Sequence, residues 1–275
     1  MADNEKIIDA SYSGASFAGA SMKRAAVTNS SFVQCDFTGA TLSSATFTTS
    51  VFSQTGFSGA DFSGAKFVRS TFTSASFAGT NLSGATFSLS NIADTSFDNA
   101  NLSGAIFNNS TLSGGTSFNN ANISGAYFYS VTGLTRDLLS QTANWKNKDL
   151  SGITFWAGLV GWDFSGMNLT GTNFTGSTLT GTIFTDADIT NANFSQTSTA
   201  GFVISQLYDT KNYKEGNLYG IKFNAVVLTG ANFSNLDLRG ASMNARFTNA
   251  NFTDALVNYA SFTGFWSPND GISPA

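Results

Sequence analysis

Histidine is absent from this chain, and cysteine occurs once, as Cys35. These scarcities remove Ser/His and Cys/His nucleophile pairs and the usual zinc sites, which draw on several Cys or His ligands. A disulfide within the chain is impossible. Charge is thin as well, with 11% Asp, Glu, Lys and Arg in 275 residues and a net charge of -4. No basic stripe exists to neutralise phosphates, so direct nucleic-acid binding is not expected. Both prolines, Pro268 and Pro274, lie in the tail, which marks the end of strand pairing because proline cannot donate to a ladder. No run of about 20 apolar residues is available to span a bilayer. The opening MADNEKIIDA has no apolar run of the secretory kind, so the expected location is cytoplasmic by default, or secreted if a signal has been trimmed away.

What the chain has instead is rhythm. From Ser31 to Leu112 a large apolar residue returns at every fifth position: Phe32, Phe37, Leu42, Phe47, Phe52, Phe57, Phe62, Phe67, Phe72, Phe77, Leu82, Phe87, Ile92, Phe97, Leu102, Phe107 and Leu112. Two residues before many of these centres stands a small one, as at Ala40, Ala60, Ala85 and Ala100. A period of five fits neither the helix spacing of about 3.6 nor the strand spacing of 2. It describes a coil in which every fifth residue points to one axis. Cys35 occupies the small position before Phe37 and reads as a packing residue.

The rhythm begins at Ile7 or Tyr12, and residues 1–9 read as a cap or a frayed end. After Leu112 one extra residue, at Gly114 or Gly115, shifts the register before Phe118, Ile123 and Phe128 resume it; glycine tolerates the backbone angles of such a bulge. At Gly133 the rhythm stops and an internal duplication appears. GLTRDLLSQTANWKNKDLSGITF, from Gly133, aligns at an offset of 68 with GFVISQLYDTKNYKEGNLYGIKF, from Gly201. Thr142 matches Thr210, Asn144 matches Asn212, and Lys146 matches Lys214. Thr135 and Ser205 are the expected N-caps of a short helix in each copy. The expected organisation is a single repeat array over 10–264, regular over 10–132, with interrupted modules at 133–200 and 201–264. Phe265 and Trp266 would then act as a lid at the head of a tail, 265–275.

Units such as TNLSG from Thr80, ANLSG from Ala100 and ANFTD from Ala250 resemble those of the pentapeptide-repeat family, and the resemblance runs from about Ala10 to Gly264. It implies an all-β fold, a right-handed quadrilateral parallel β-helix with one pentapeptide per face and four per coil, carrying two short helical or loop insertions. With four units per coil, residues 20 apart stack at about 4.8 Å. One face then carries Phe17, Phe37, Phe57, Phe77 and Phe97. The opposite face carries Val27, Phe47, Phe67, Phe87 and Phe107, and the wall between them Met22, Leu42, Phe62, Leu82 and Leu102.

Most local signals dissolve into the repeat. Sequons such as Asn81-Leu82-Ser83 arise automatically from it, and flanking residues keep no Thr-x-Thr row, which disfavours an ice-binding surface. Asp94 with Asp98, and Asp186 with Asp188, are isolated pairs of the sort usually solvated, not cation ligands. The exception is an aromatic set around the interruptions: Tyr127, Tyr129, Trp145 and Trp156 in the first, and Tyr208, Tyr213 and Tyr219 in the second. These either pack the insertions onto the coil or form a partner-binding patch. The expected function is a non-enzymatic structural or protein-interaction scaffold, without cofactor, as a monomer or an end-to-end dimer with an unidentified protein partner. The resemblance also raises a second reading, a DNA-mimic modulator of DNA gyrase. That role calls for a markedly acidic surface, which Lys66, Arg69, Lys146, Lys148, Lys211 and Lys214 interrupt.

Overall fold

The computed structural model describes residues 2–197 and 201–262. The expected lid, Phe265 and Trp266, lies outside the described residues. The chain divides into two compact units, Met1–Asn147 and Lys148–Ala275.

In the first unit the five-residue rhythm becomes a β-solenoid with four inward columns per coil. Two sides are built of three-residue strands. On one side Lys6–Ile8, Ala26–Thr28, Thr46–Thr48, Lys66–Val68, Thr86–Ser88, Ile106–Asn108 and Tyr127–Tyr129 stack in parallel. On the next, parallel strands run from Ser11–Ser13 to Thr111–Ser113. The other two sides are held by single parallel bridges such as Asp36↔Gly56 and Asp61↔Asn81. The rhythm starts at Ile7, because Lys6–Ile8 already pairs with Ala26–Thr28; residues 6–8 are therefore the first strand of the array and not a frayed end. At the corners the second residue after a centre takes a left-handed conformation, as in Gly39 (φ 64°) and Gln34 (φ 54°). This is why glycine, asparagine and small polar residues recur there.

The core is a set of stacked rings. Phe37, Phe57, Phe77 and Phe97 are fully buried, and neighbours along this column lie 4.5–5.4 Å apart, centroid to centroid. Phe17, in the coil nearest the amino terminus, is only half-buried. Phe47, Phe67, Phe87 and Phe107 form the opposing stack at 4.9–5.1 Å. A third stack stands between them on the side away from Met22 and Leu42. It comprises Tyr12, Phe32, Phe52 and Phe72, at 5.1–5.3 Å. Rings from adjacent columns meet edge to face, as in Phe52 with Phe57 at 5.5 Å, so phenylalanines such as these two gain both stacked and T-shaped partners.

The small position before each centre is more than a spacer. At several positions where it is Ser or Thr, the hydroxyl is buried and donates to the carbonyl of a centre in the preceding coil. Thr55 Oγ1 donates to Phe32 O at 2.9 Å, Thr80 Oγ1 to Phe57 O at 3.0 Å, and Ser110 Oγ to Phe87 O at 2.8 Å. Burial without those bonds would cost about 1–3 kcal/mol per hydroxyl. Cys35 fills the same position, 2% exposed, and burial pushes its thiol pKa up.

The register slip falls where expected. Ser96 pairs with Ser117 and Asn101 with Asn122, a step of 21 where earlier coils step by 20. Gly114 has φ 59°, and the Gly115 N–H donates to Asp94 Oδ1 at 2.7 Å.

The second unit continues the same construction, with bridges such as Asp149↔Asn168 and Gly158↔Thr178. Phe155, Phe174, Phe194 and Phe223 stack in one of its columns at 5.1–5.7 Å. In two places the coil is one residue shorter: Thr154 pairs with Asn173 and Val227 with Arg246, each a step of 19 where the regular coils step by 20.

Candidate interaction surface

Each interruption is a pair of short helices, and the two pairs are related by the 68-residue offset. The first holds α1, Arg136–Ser140, and α2, Ala143–Lys146; the second holds α3, Ile204–Tyr208, and α4, Lys211–Lys214. Thr135 caps α1, its side chain accepting from the Leu138 N–H. Thr142 and Thr210 cap α2 and α4 in the same way. The expected cap Ser205 is not one. Val203 is the N-cap of α3, and the Gln206 side chain accepts from the Val203 N–H at 2.8 Å. The Gln206 amide also donates to the Leu179 and Thr182 carbonyls at 2.9 and 2.6 Å, bonds that only a side chain buried in the coil can make. Leu139 and Leu207 fill the inward role, 0% and 1% exposed. The rhythm ends at Gly133 because the backbone there (φ 79°) lies against the Leu112 carbonyl with no room for a side chain.

In both copies polar side chains fasten the helices to the preceding coil. Asn144 Oδ1 accepts from the Ile123 N–H at 2.7 Å, and Asn212 Oδ1 from the Ile189 N–H at 2.6 Å. In a regular coil that N–H finds a backbone carbonyl, as Leu102 N–H does at Asn122 O, 2.7 Å; here an asparagine amide takes its place. The same amides donate to Ser124 Oγ at 3.0 Å and Thr190 Oγ1 at 2.9 Å. Lys146 Nζ reaches Asn120 Oδ1 at 2.6 Å, and Lys214 Nζ reaches Asp186 Oδ1 at 2.8 Å. The second copy adds Lys211 to Asp188, 3.1 Å.

Burial raises the Asp188 carboxyl pKa, but hydrogen bonds from Thr190 and the Lys211 ammonium outweigh it and hold the group below the ordinary 3.8. A carboxyl whose folded pKa is depressed contributes stability above its unfolded pKa and loses it as pH falls through the folded value. Stability should therefore decline as pH falls through the ordinary carboxylate range to the lower folded pKa. In Asp188→Asn the acid-induced drop in melting temperature should be smaller than in the parent; equal drops would show that this pair is too screened by solvent to matter.

The aromatic set divides by environment. Tyr208 and Tyr213 are half-buried, with ring centroids 4.5 Å apart. Tyr213 Oη donates to the Asn232 carbonyl at 2.7 Å, and Tyr208 Oη accepts from the Asn232 N–H at 2.9 Å. Burial leads the rise in the Tyr213 pKa, with Tyr208 adding to it. These two phenols join the second insertion to the coil that follows it. Trp145 is half-buried on α2. Tyr127 and Tyr129, on either side of inward Phe128, are 46% and 40% exposed. Trp156 and Tyr219, in the second unit, are 37% and 48% exposed and share one arrangement. Each stands one place after a centre and lies over a glycine of the next coil. The Trp156 indole covers Gly176, where a Cβ would come within 2.9 Å of the ring, and the Tyr219 ring lies 3.8 Å from the Cβ position of Gly240.

The acidic pairs have protein partners. Asp94 accepts from Gly115, and Asp98 from Ser117 Oγ and the Asn119 N–H, at 2.7–2.9 Å. Among the described residues no three His, Cys, Asp or Glu side chains come together as a metal site. Among the same residues no helix is long and apolar enough to cross a membrane.

Two family models match the sequence. One, described as a pentapeptide repeat region, covers residues 5–75; the other, pentapeptide repeats (8 copies), covers 75–114, 94–132, 159–196 and 214–244. No curated protein matches the chain. Among solved structures, it is similar to HetL, a pentapeptide repeat protein involved in heterocyst differentiation regulation from the cyanobacterium Nostoc sp. strain PCC 7120. The identity is 18% over 94% of this chain and 87% of that one, with a TM-score of 0.44. A trypsin-treated form of QnrB1, a plasmid-mediated fluoroquinolone resistance protein, is 15% identical over 81% of this chain and 91% of its own, with a TM-score of 0.28. A pentapeptide repeat protein from the thylakoid lumen of Arabidopsis thaliana is 31% identical over 46% of this chain and 70% of its own, with a TM-score of 0.21. Inward centres every fifth residue, four columns to a coil, and family matches along more than half of the sequence have one meaning: the chain belongs to the pentapeptide-repeat family.

Proposed function

We propose that this protein is a non-enzymatic scaffold that engages a protein partner through outward aromatic side chains next to its insertions. The observation that carries this reading is a division of labour among large side chains. Most of the phenylalanine centres are buried in the columns of the core, whereas Tyr127, Tyr129, Trp156 and Tyr219 remain 37–48% exposed. Large aromatics left outside a core that has consumed dozens of others are the residue types enriched at interface hot spots. Tyr208 and Tyr213 serve a different end, since both phenols are bound to Asn232. A DNA-mimic role gains no support from the second insertion, where Asp186 and Asp188 are paired with Lys214 and Lys211.

The test separates binding from folding. A variant carrying Tyr127→Ala, Tyr129→Ala, Trp156→Ala and Tyr219→Ala should melt within a few degrees of the parent, since substitutions at exposed positions usually cost about 0.5 kcal/mol or less. It should fail to retain a partner that the full chain captures from extracts of its source organism. Retention of the same partner at the same yield would contradict the proposal. Inhibition or protection of gyrase supercoiling by the purified chain would favour the DNA-mimic reading instead.

A further inference from the structure

The residue before each inward centre turns its N–H and its carbonyl toward the preceding coil, and both need a partner there. Asp237 finds two main-chain ones: its N–H donates to Gly216 O and its carbonyl accepts from the Leu218 N–H, both at 2.8 Å. Asn232, on the side before it, faces the second insertion instead of a regular coil. There two phenols take over both bonds, Tyr208 Oη accepting from the Asn232 N–H at 2.9 Å and Tyr213 Oη donating to the Asn232 carbonyl at 2.7 Å. Both hydroxyls are thus fixed at one residue, within hydrogen-bonding reach of each other. Their rings lie 4.5 Å apart, centroid to centroid, inclined by 40°.

The architecture does not demand this pair. At the 68-residue offset the first insertion has Ser140 and Trp145 in the same two places, with the same two short helices and the same threonine cap on the second of them. What two phenols in ring contact can do, and a serine with a tryptophan cannot, is couple to one another through carbon. Convergence of the two oxygens brings the ring carbons ortho to them side by side, and a pair held in place reacts as one unit without a second molecule.

We propose that Tyr208 and Tyr213 are an oxidation site at which a dityrosine bond joins α3 to α4. Each phenol gives up one electron and its hydroxyl proton. The two phenoxyl radicals form a carbon–carbon bond between their ortho positions, and the hydrogens on those carbons move to the oxygens and restore both phenols. In sum two C–H bonds break and one C–C bond forms. The two electrons and two protons pass to the oxidant, a peroxide activated by a haem peroxidase, which is reduced to water. The product is a covalent clasp across the second insertion alone, which makes that insertion responsive to oxidants and leaves the first one indifferent.

The full chain treated with a haem peroxidase and hydrogen peroxide, then digested with trypsin and read by mass spectrometry, tests this. Lys211 lies between the two tyrosines, so trypsin releases them on separate peptides unless they are joined. The expected product is one joined peptide pair, lighter than the sum of its parts by two hydrogens, with the blue fluorescence of dityrosine and a yield that does not change on dilution. Tyr208→Phe and Tyr213→Phe, which keep the ring and remove the phenol, should each abolish it. Amides of Ile204–Lys214 should exchange more slowly in the coupled protein than in the untreated one. Tyr219 and Tyr259, 48% and 96% exposed, report on unselective oxidation. Their consumption while Tyr208 and Tyr213 still leave on separate peptides would overturn the proposal, as would a joined pair that forms only between molecules at high concentration.

Discussion

Replacing Phe57 by alanine should lower stability by about 3–5 kcal/mol and the melting temperature on the order of 10 °C. Phe57 is fully buried. It stacks on Phe37 and Phe77 at 5.4 and 4.5 Å and meets Phe52 and Phe62 edge-on at 5.5 and 5.2 Å. The coils above and below are fixed to this one by backbone bonds such as Phe57 N–H to Ser76 O, 2.8 Å, so the layer cannot collapse to refill the space. The lost transfer energy and the cavity therefore add. Phe57→Leu, which keeps most of the volume, should cost much less. A Phe57→Ala protein melting with the parent would mean that this residue does not carry the core.

Asn212→Leu is expected to have the next largest effect, about 1–3 kcal/mol, read as a loss of chemical stability of the second unit. The side chain is 4% exposed. Its Oδ1 is the acceptor for the Ile189 N–H, and its amide donates to Thr190 Oγ1. Leucine matches the volume but strands a buried backbone donor, which is the expensive half of a hydrogen bond to lose. Asn144→Leu in the first copy should cost less, because Asn144 is half-buried and its amide bond to Ser124 is exposed. Equal effects of the two substitutions, or none, would show that the asparagines are not surrogates for a backbone carbonyl.

The period of five was legible because each centre is a residue that water rejects and each small position is one that a tight coil demands. A 20-residue step then placed Phe37, Phe57 and Phe77 in one stack. The same step from Tyr12 through Phe32 and Phe52 makes the third stack, which the expectation of two opposed ladders omitted. The insertions were visible as a duplication, and Thr142 and Thr210 as repeated residues, but the work of Asn144 and Asn212 was not. An asparagine that stands in for a main-chain carbonyl across 21 or 23 residues depends on where the helix sets it down, and no local pattern encodes that distance. Ser205 looked like a cap by residue type alone; Gln206 supplies the bond from inside the helix and frees the N-cap to be Val203. Aromatics around the interruptions were similarly grouped by type. The bonds to Asn232 and the degree of exposure separate Tyr208 and Tyr213, which are half-buried, from Tyr127, Tyr129, Trp156 and Tyr219, which are 37–48% exposed.

That separation can be probed at single positions. A photo-crosslinking residue placed at Tyr127 or at Tyr219, and as a control at exposed Val51 in the regular array, reports which surface a partner touches in the cell. Adducts of the same partner at Tyr127 and Tyr219 with none at Val51 are the predicted result. A partner joined at Val51 and at neither tyrosine would contradict the assignment of interaction to the aromatics beside the insertions.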